Sequence, residues 1–384
     1  MNTFVYISGW DKRAEPGGRY GLSAYRLLPD GGLSFVETAK PDTLFNVACF
    51  DARRGLLYAL EEVNDLPGLC GGGGGRIFGF RPDRETGRLE TVGSAPTWCP
   101  SPCYLSLSAD GERLLVAHQG SYAAVTKLGR DAYGNFYPVV ERDDVAVELF
   151  SIGADGVPDR LLDADLCRGE GPERRQIHAR PHTVVRSPDG ALFAVCDKGN
   201  DTVGMYAVSP DGARLIPPRH IYRCRPGLLP RYCVFHPTAP WFYHNTESDD
   251  RIYAFRYDAE GALTPLTSVA AAPGAPLRER VTEQQGLVMS ADGRFLYDVV
   301  RGPNAVSVLA VDAATGVPET VQVQPVEGAW PRGCALSPDG KILLVCCRDS
   351  GTVERFAVGE DGLLTPLGEP VENPAAAFAV FCEI

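Results

Sequence analysis

Short apolar segments alternate with turns rich in aspartate and glycine along the whole of this 384-residue chain. In one recurring turn phrase, a glycine follows acidic or polar residues and comes just before the apolar residue that begins the next segment. Its seven copies are PDGGL (29–33), RETGRL (84–89), GADGV (153–157), SPDGARL (209–215), DAEGAL (258–263), DAATGV (312–317) and GEDGLL (359–364). Glycine there supplies the positive φ of a tight hairpin, so each copy predicts two antiparallel strands.

A second phrase alternates with the first and joins two apolar segments through Ser-Pro-Asp-Gly or a variant. Its copies are FDARRGLLYAL (50–60), LSADGERLLVA (107–117), RSPDGALFAVC (186–196), MSADGRFLYDV (289–299), LSPDGKILLVC (336–346) and the degenerate FHPTAPWFYHN (235–245). Two hairpins in each unit of roughly 50 residues give four antiparallel strands, which is the size of a propeller blade.

The two phrases differ in number, with seven copies of the first and six of the second. Ring closure explains the difference if residues 375–384 form the inner strand of a last blade that the N-terminal segments complete. Pairing the two ends also removes the open sheet edges. The sequence therefore predicts an all-β, seven-bladed propeller over residues 1–384 as a single domain, closed by its terminal strands. Loop insertions are expected near 62–76 and 120–180.

The net charge and the cysteine content limit which binding partners and which cellular compartment we expect. A formal net charge of −12 argues against nucleic acid or an anionic membrane, since both require a basic face. A small anionic ligand held by a few local arginines stays compatible with that charge. The sequence has no export signal, no membrane-spanning apolar run and no CxxC pair among its 12 cysteines. We expect reduced thiols, a cytoplasmic location, and neither a metal nor a cofactor.

The repeat also indicates which residues surround the central channel. Counting back from each Ser-Pro-Asp-Gly-type turn places one residue of each inner strand at a common level; these are Asn46, Cys103, His182, Arg231, Gln285 and Arg332. The ends of the second strands add Glu62, His118, Asp197, Glu247, Arg301 and Arg348. So many polar groups around one narrow channel are costly unless they pair or meet a ligand, so we expect a functional site at one mouth.

Two blades carry a family resemblance. PHTVVRSPDGALFAVCDKGNDTVGMY (181–206) and LPRYCVFHPTAPWFYHNTES (229–248) resemble the propeller-type 6-phosphogluconolactonases, whose superfamily includes fungal 3-carboxy-cis,cis-muconate lactonizing enzyme. The resemblance implies that His182, Arg231 and Glu247 form the active-site trio, with Arg301 as a fourth member. It also implies an enzyme that acts on a lactone or a related acid. No set of histidines has metal-ligand spacing, so we expect a metal-free site.

Several residues expected at the mouth of the central channel differ from the family pattern. Cys103-Tyr104 and His118-Gln119 stand where relatives carry Cys-His and Asn-Tyr, Arg348 replaces a glutamine, and Asp197-Lys198-Gly199 replaces Asp-Leu-Gly. These changes leave the trio in place and bear on the substrate. The expected substrate contacts beyond the trio are Arg301, Arg332, Arg348, His118, Tyr104, Asn46 and Glu62.

The expected function is hydrolysis of a small anionic sugar lactone, with Glu247 or His182 as base and Arg231 stabilising the oxyanion. Lactonization of a carboxymuconate-type acid would use the same parts, and a non-catalytic interaction scaffold is a third reading. A purely structural role also stays open for the trio, since Glu247 and Arg231 could form a buried ion pair. The oligomeric state is not predicted.

Overall fold

The computed structural model describes residues 2–11, 20–66, 72–279 and 281–384. Its strands are β1 (Thr3–Gly9), β2 (Gly21–Leu27), β3 (Leu33–Ala39), β4 (Phe45–Asp51), β5 (Leu56–Glu61), β6 (Arg76–Pro82), β7 (Leu89–Pro96), β8 (Pro102–Leu107), β9 (Arg113–His118), β10 (Ala124–Arg130), β11 (Phe136–Arg142), β12 (Val145–Ile152), β13 (Pro158–Cys167), β14 (Pro181–Arg186), β15 (Phe193–Asp197), β16 (Thr202–Val208), β17 (Leu215–Ile216), β18 (Ile221–Arg223), β19 (Pro230–Phe235), β20 (Trp241–Thr246), β21 (Arg251–Tyr257), β22 (Leu263–Ala270), β23 (Glu283–Met289), β24 (Phe295–Arg301), β25 (Ala305–Val311), β26 (Pro318–Pro325), β27 (Pro331–Leu336), β28 (Ile342–Cys347), β29 (Thr352–Val358), β30 (Leu364–Pro366), β31 (Val371–Glu372) and β32 (Ala376–Glu383). Within the described residues, no helix is long and apolar enough to span a membrane.

Seven antiparallel sheets form the blades, which we number in chain order. Blades 1 to 6 begin at β4, β8, β14, β19, β23 and β27, and blade 7 has the strand order β3-β2-β1-β32. In blade 7 the C-terminal strand pairs with the N-terminal one, with Phe4 opposite Cys382 and Ile7 opposite Ala379. The predicted seven-bladed propeller, closed by its two ends, is therefore confirmed.

The turn glycines adopt the conformation that the repeat requires. All seven glycines of the first phrase have positive φ, and each lies between the third and fourth strands of its blade. At Gly87, where φ is 76°, a Cβ atom would also lie 2.2 Å from the ring of Phe4 in the neighbouring blade. This turn therefore packs against the next blade as well as joining two strands.

The core is divided among the seven gaps between neighbouring blades. Seven clusters of buried apolar side chains fill these gaps, one cluster in each. Successive residues of a second strand contribute to opposite gaps; Leu114 and Val116 of β9 pack towards blade 1, whereas Leu115 and Ala117 pack towards blade 3. Both faces of every blade are covered, which explains why the second strands are continuous apolar runs.

The predicted insertion near 120–180 is narrower in the structure. β10 and β11 form a separate two-stranded ribbon, whereas β12 and β13 are the third and fourth strands of blade 2. The loop from 168 to 180 then leads to β14 and brings Arg175 into contact with Glu283 at the start of β23. The other predicted insertion, near 62–76, lies partly outside the described residues, which omit 67–71.

Candidate active site

In blades 1 to 6, a β-bulge at the start of the inner strand leaves the residue predicted to face the channel without a partner on the second strand. The pairing register of β4, β8, β14, β19, β23 and β27 shifts at the residue predicted to face the channel. The bypassed residues include Asn46, Cys103, His182, Arg231, Gln285 and Arg332. A bulge changes the direction of the side chain that it carries. Hydrogen bonds between different blades, such as Arg231 to His182 and Arg332 to Asn46, show that these side chains meet around the axis.

Backbone strain accompanies three of these bulges. Ser101, Leu229 and Trp330 have φ of 51°, 54° and 58°, and each directly precedes the proline that begins β8, β19 or β27. Positive φ is uncommon for residues other than glycine, and strain of this kind clusters at active sites. At Trp330 it accompanies an indole that contacts two arginines, Arg301 and Arg348.

The predicted trio is in direct contact. Arg231 Nε lies 3.0 Å from Oε1 of Glu247 and 3.3 Å from Nε2 of His182. Arg231 Nη1 also donates to the carbonyl of Gln284 at 3.2 Å. All three side chains of the trio are buried. Because the guanidinium donates to Nε2, the imidazole proton of His182 is on Nδ1, which has no partner among the described residues.

Two further basic residues and a second glutamate extend this cluster. Lys198 Nζ lies 3.0 Å from Glu247 Oε1. Arg175 Nη1 lies 2.8 Å from Glu283 Oε1 and 3.5 Å from Glu247 Oε2. Arg301 Nη1 donates to the other Glu283 oxygen at 2.7 Å. Glu247 and Glu283 are therefore joined through Arg175, and the predicted fourth member, Arg301, joins the cluster through Glu283.

Burial and neighbouring charges perturb the pKa values in this cluster. Burial, together with Lys198 and Arg231, lowers the pKa of His182 well below its ordinary value, so its imidazole is uncharged at neutral pH. Burial alone would raise the pKa of Glu247, but Lys198 and Arg231 outweigh it and hold that pKa well below the ordinary value. Glu247 is thus a carboxylate in the free protein.

A second branch of the site connects blades 6, 1 and 2. Arg332 Nη2 lies 3.2 Å from Asn46 Oδ1 and 3.9 Å from Glu62 Oε2, and its guanidinium stacks on Trp10 at 4.1 Å. Asn46 donates to Glu62, and Gln119 Nε2 donates to the other Glu62 oxygen at 2.7 Å. The structure therefore brings Asn46, Glu62 and Arg332 together.

The side of the mouth at blades 5 and 6 has buried donors without partners. The guanidinium groups of Arg301 and Arg348 lie 3.9 and 4.9 Å from the centre of the Trp330 ring. Among the described residues, Arg301 Nε and Nη2, Trp330 Nε1 and Arg332 Nε have no hydrogen-bond partner. Unpaired buried donors are rare in folded proteins and call for an explanation such as a ligand.

The structure corrects two predicted substrate contacts. His118 is fully buried inside its blade, where Nε2 lies 3.0 Å from Glu148 of β12. Tyr104 packs against Tyr232, with ring centres 6.1 Å apart, and lines an apolar cavity of about 400 Å³ that also contains Leu287 and Phe378. Neither side chain has a described contact with the trio.

The error at His118 is a slip of one residue along β9. Pro102 pairs with His118 just as Pro230 pairs with Thr246, so the equivalent of Glu247 is Gln119. The same shift applies in blade 3, where Asp197 accepts backbone N–H groups and Lys198 reaches the site. Neighbouring positions of a strand face opposite sides, so a slip of one residue exchanges a site residue for a structural one.

Sequence reasoning also missed Arg175, Glu283, Trp10 and Trp330 as components of the mouth. A consistent count from the turn would have found Gln119 and Lys198. Arg175 lies in a loop, to which the strand repeat gives no register. Among the described residues, no group of three or more His, Cys, Asp or Glu side chains could hold a metal ion.

Comparisons with known proteins agree on one family. The family model described as "Lactonase, 7-bladed beta-propeller" matches residues 21–381. The 6-phosphogluconolactonase of Bacillus subtilis is 25% identical over 348 residues, which cover 90% of this chain and 85% of that protein. The solved structure of the periplasmic gluconolactonase of Pseudomonas aeruginosa has a TM-score of 0.82 at 25% identity, covering 100% of this chain and 99% of that one.

A structure from Lactobacillus plantarum superposes equally well. Its TM-score is 0.81 at 23% identity, with complete coverage of both chains, and at that identity it supports the fold alone. Together with the family model, these matches confirm the resemblance carried by residues 181–206 and 229–248.

Proposed function

The chain belongs to the seven-bladed β-propeller lactonase family, and from that premise we propose that it hydrolyses a small anionic sugar lactone. The observation that carries the proposal is the buried contact of His182, Arg231 and Glu247, surrounded by arginines that keep unpaired donors. The relatives act, by their names, on 6-phosphogluconolactone and on gluconolactone. Both are six-carbon sugar lactones, and they differ in the phosphate.

In the proposed reaction, water attacks the carbonyl carbon of the lactone while Glu247 takes one proton from it. Arg231 lies beside Glu247 and stabilises the negative charge that develops on the carbonyl oxygen. An anionic substrate that binds Arg231 or Arg175 withdraws positive charge from Glu247. This raises the Glu247 pKa towards the range in which a carboxylate is an effective base. His182, uncharged, holds the Arg231 guanidinium in place.

The charge balance of the mouth favours an anionic substrate. The basic side chains of the described part of the mouth are Arg175, Lys198, Arg231, Arg301, Arg332 and Arg348, and the carboxylates that contact them are Glu62, Glu247, Glu283 and Asp349. This local excess of positive charge occurs in a chain whose net charge is −12. A phosphate or carboxylate would pair with the free donors of Arg301, Trp330 and Arg332.

We place the reaction in the cytoplasm. Eleven cysteines of the described chain are free thiols, and most are buried. Burial raises the pKa of Cys103, Cys334 and Cys346, which keeps these thiols protonated and unreactive. Such a chain is suited to a reducing compartment.

The decisive experiment measures hydrolysis above the spontaneous background for glucono-δ-lactone and 6-phosphoglucono-δ-lactone. A carboxymuconate tests the lactonizing alternative. Glu247→Gln should reduce turnover to background, while the exposed Glu90→Gln, which has the same chemical change far from the mouth, should behave as wild type. Absence of lactone hydrolysis, or full activity of Glu247→Gln, would reject the proposal.

A further inference from the structure

One basic side chain of the mouth has no role in the chemistry above. Lys198 directly follows β15, at the position that Glu247 occupies after β20. The residue is 6% exposed, and its Nζ lies 3.0 Å from Glu247 Oε1. Within the described part of the chain, Glu247 is the one hydrogen-bond partner of the Lys198 ammonium. An ammonium has three N–H bonds, so two remain available for a ligand.

The reaction as proposed lacks a proton donor for its leaving group. Opening a lactone releases an alkoxide at the ring oxygen, and protonating it during bond cleavage lowers the barrier. His182 does not fill this role, because its imidazole is uncharged and its Nε2 accepts a hydrogen bond from Arg231. The arginines of the mouth are poor acids, because charge delocalisation keeps a guanidinium protonated even where burial lowers its pKa, as at Arg301.

The charges around Lys198 adjust its acidity. Burial lowers its pKa to about 8; Glu247 opposes this change, and Arg231 and Arg180 add to it. His182 of β14 and Glu62 after β5 also lie within electrostatic range of the ammonium. A lysine with a pKa near the working pH is protonated at neutrality and still transfers its proton readily.

We propose that Lys198 is the general acid that protonates the ring oxygen of the lactone, an inference that rests on the proposed hydrolase function. Water adds its oxygen to the carbonyl carbon and gives one proton to Glu247. The bond between the carbonyl carbon and the ring oxygen breaks, and the ring oxygen takes a proton from Lys198. Glu247 then passes its proton to the Lys198 amine across 3.0 Å, which restores both groups.

The test compares Lys198→Met and Lys198→Arg with wild type, using kcat/KM for the most active lactone between about pH 6 and 9.5. In wild type, kcat/KM should fall as the pH rises above about 8, because the free enzyme loses the proton that it must donate. Both variants should be slower by about 10²–10⁴-fold and should lack this decline. Lys198→Arg keeps the positive charge but holds its proton throughout the range.

The possible outcomes distinguish failure of this inference from failure of the proposed function. If Lys198→Arg keeps the wild-type rate and the decline above about pH 8, Lys198 contributes charge alone and the proposal is rejected. If wild type hydrolyses no lactone, the proposed function and this inference fall together. Lys341→Met is the matched control, since Lys341 is exposed in the turn between β27 and β28, and it should leave both the rate and the pH profile unchanged. Thermal unfolding of each variant verifies that it is folded.

Discussion

Arg231 and Glu247 form an ion pair of 3.0 Å that is buried where two neighbouring strands of one blade reach the channel. Removing two charges from water is expensive, and apolar residues of similar volume often stabilise a fold as well or better. Apolar clusters already hold the blades of this propeller together, and we propose that the pair serves the reaction and contributes little to stability.

Arg231→Lys should lower both substrate binding and turnover, with kcat/KM reduced by about 10²–10³-fold. A lysine is a point charge and cannot contact Glu247, His182 and the Gln284 carbonyl at once, as the guanidinium does. Calorimetric binding and steady-state kinetics measure the two effects. The exposed Arg294→Lys serves as the control. Near-wild-type kinetics in Arg231→Lys would show that positive charge at this position is sufficient.

Gly87→Ala should lower the free energy of unfolding by about 2–4 kcal/mol, because it combines strain at positive φ with a clash. The added Cβ would lie 2.2 Å from the Phe4 ring, and the Gly87 carbonyl accepts a hydrogen bond from the Tyr6 hydroxyl of the same neighbouring blade at 2.9 Å. Gly55→Ala is the matched control, since φ is also positive but no atom lies within 4 Å, and it should cost about 1–2 kcal/mol. Denaturant unfolding measures both. Equal losses would show that the blade contact is unimportant.

The fold could be predicted because its repeat is carried by turns, which depend on local residues. Glycines such as Gly87 and Gly156 have positive φ in these turns, and counting them counts the blades. The inner-strand positions of the site followed from the same count, since the bulge lies at a constant distance before each turn. For this reason the amino-acid sequence alone is sufficient to place His182 and Arg231 at the channel.

The ends of the second strands require a count from the turn that is correct to a single residue, because neighbouring positions of a strand face opposite sides. An error of one residue selected His118, which faces Glu148 inside the blade, in place of Gln119, which contacts Glu62. The position of Arg175 could not be predicted from the sequence for a different reason. Its loop has no periodicity, and its position depends on contacts with Glu283 and Glu247, which are 108 and 72 residues away in sequence.

Tyr232→Phe should leave the free energy of unfolding unchanged or raise it, by up to about 1–3 kcal/mol. The hydroxyl of Tyr232 is buried and has no partner among the described residues, so removing it abolishes a desolvation cost. Tyr243→Phe should instead destabilise the protein by about 1 kcal/mol, since its buried hydroxyl donates to the Gly316 carbonyl at 2.8 Å. Chemical denaturation of both variants makes the comparison. A large loss in Tyr232→Phe would mean that its hydroxyl does have a partner.

Asp298, which is joined to Arg231 through Gln284, should make the stability of the protein depend on pH. It is fully buried, where Asn245 and Gln284 donate to its two oxygens at 2.8 and 2.7 Å, and the Gln284 carbonyl in turn accepts from Arg231. Burial raises its pKa to about 7, and the two amides reduce that shift only in part. The folded state therefore holds this proton more tightly than the unfolded state does.

The sign of the effect follows from that difference in proton binding. Between about pH 4 and 7 the unfolded chain has released the Asp298 proton while the folded protein retains it, so this residue's contribution to stability falls as the pH rises. Asp298→Asn removes this titratable group, so the asparagine contributes to the unfolding free energy by an amount that does not vary with pH. The difference in unfolding free energy between wild type and Asp298→Asn should therefore change by about 3 kcal/mol between about pH 4.5 and 7.5, with wild type relatively less stable at the higher pH. Denaturant unfolding at about pH 4.5, 6 and 7.5 measures it. A difference that stays constant with pH would show that Asp298 is ionised throughout and is stabilised by its amide partners.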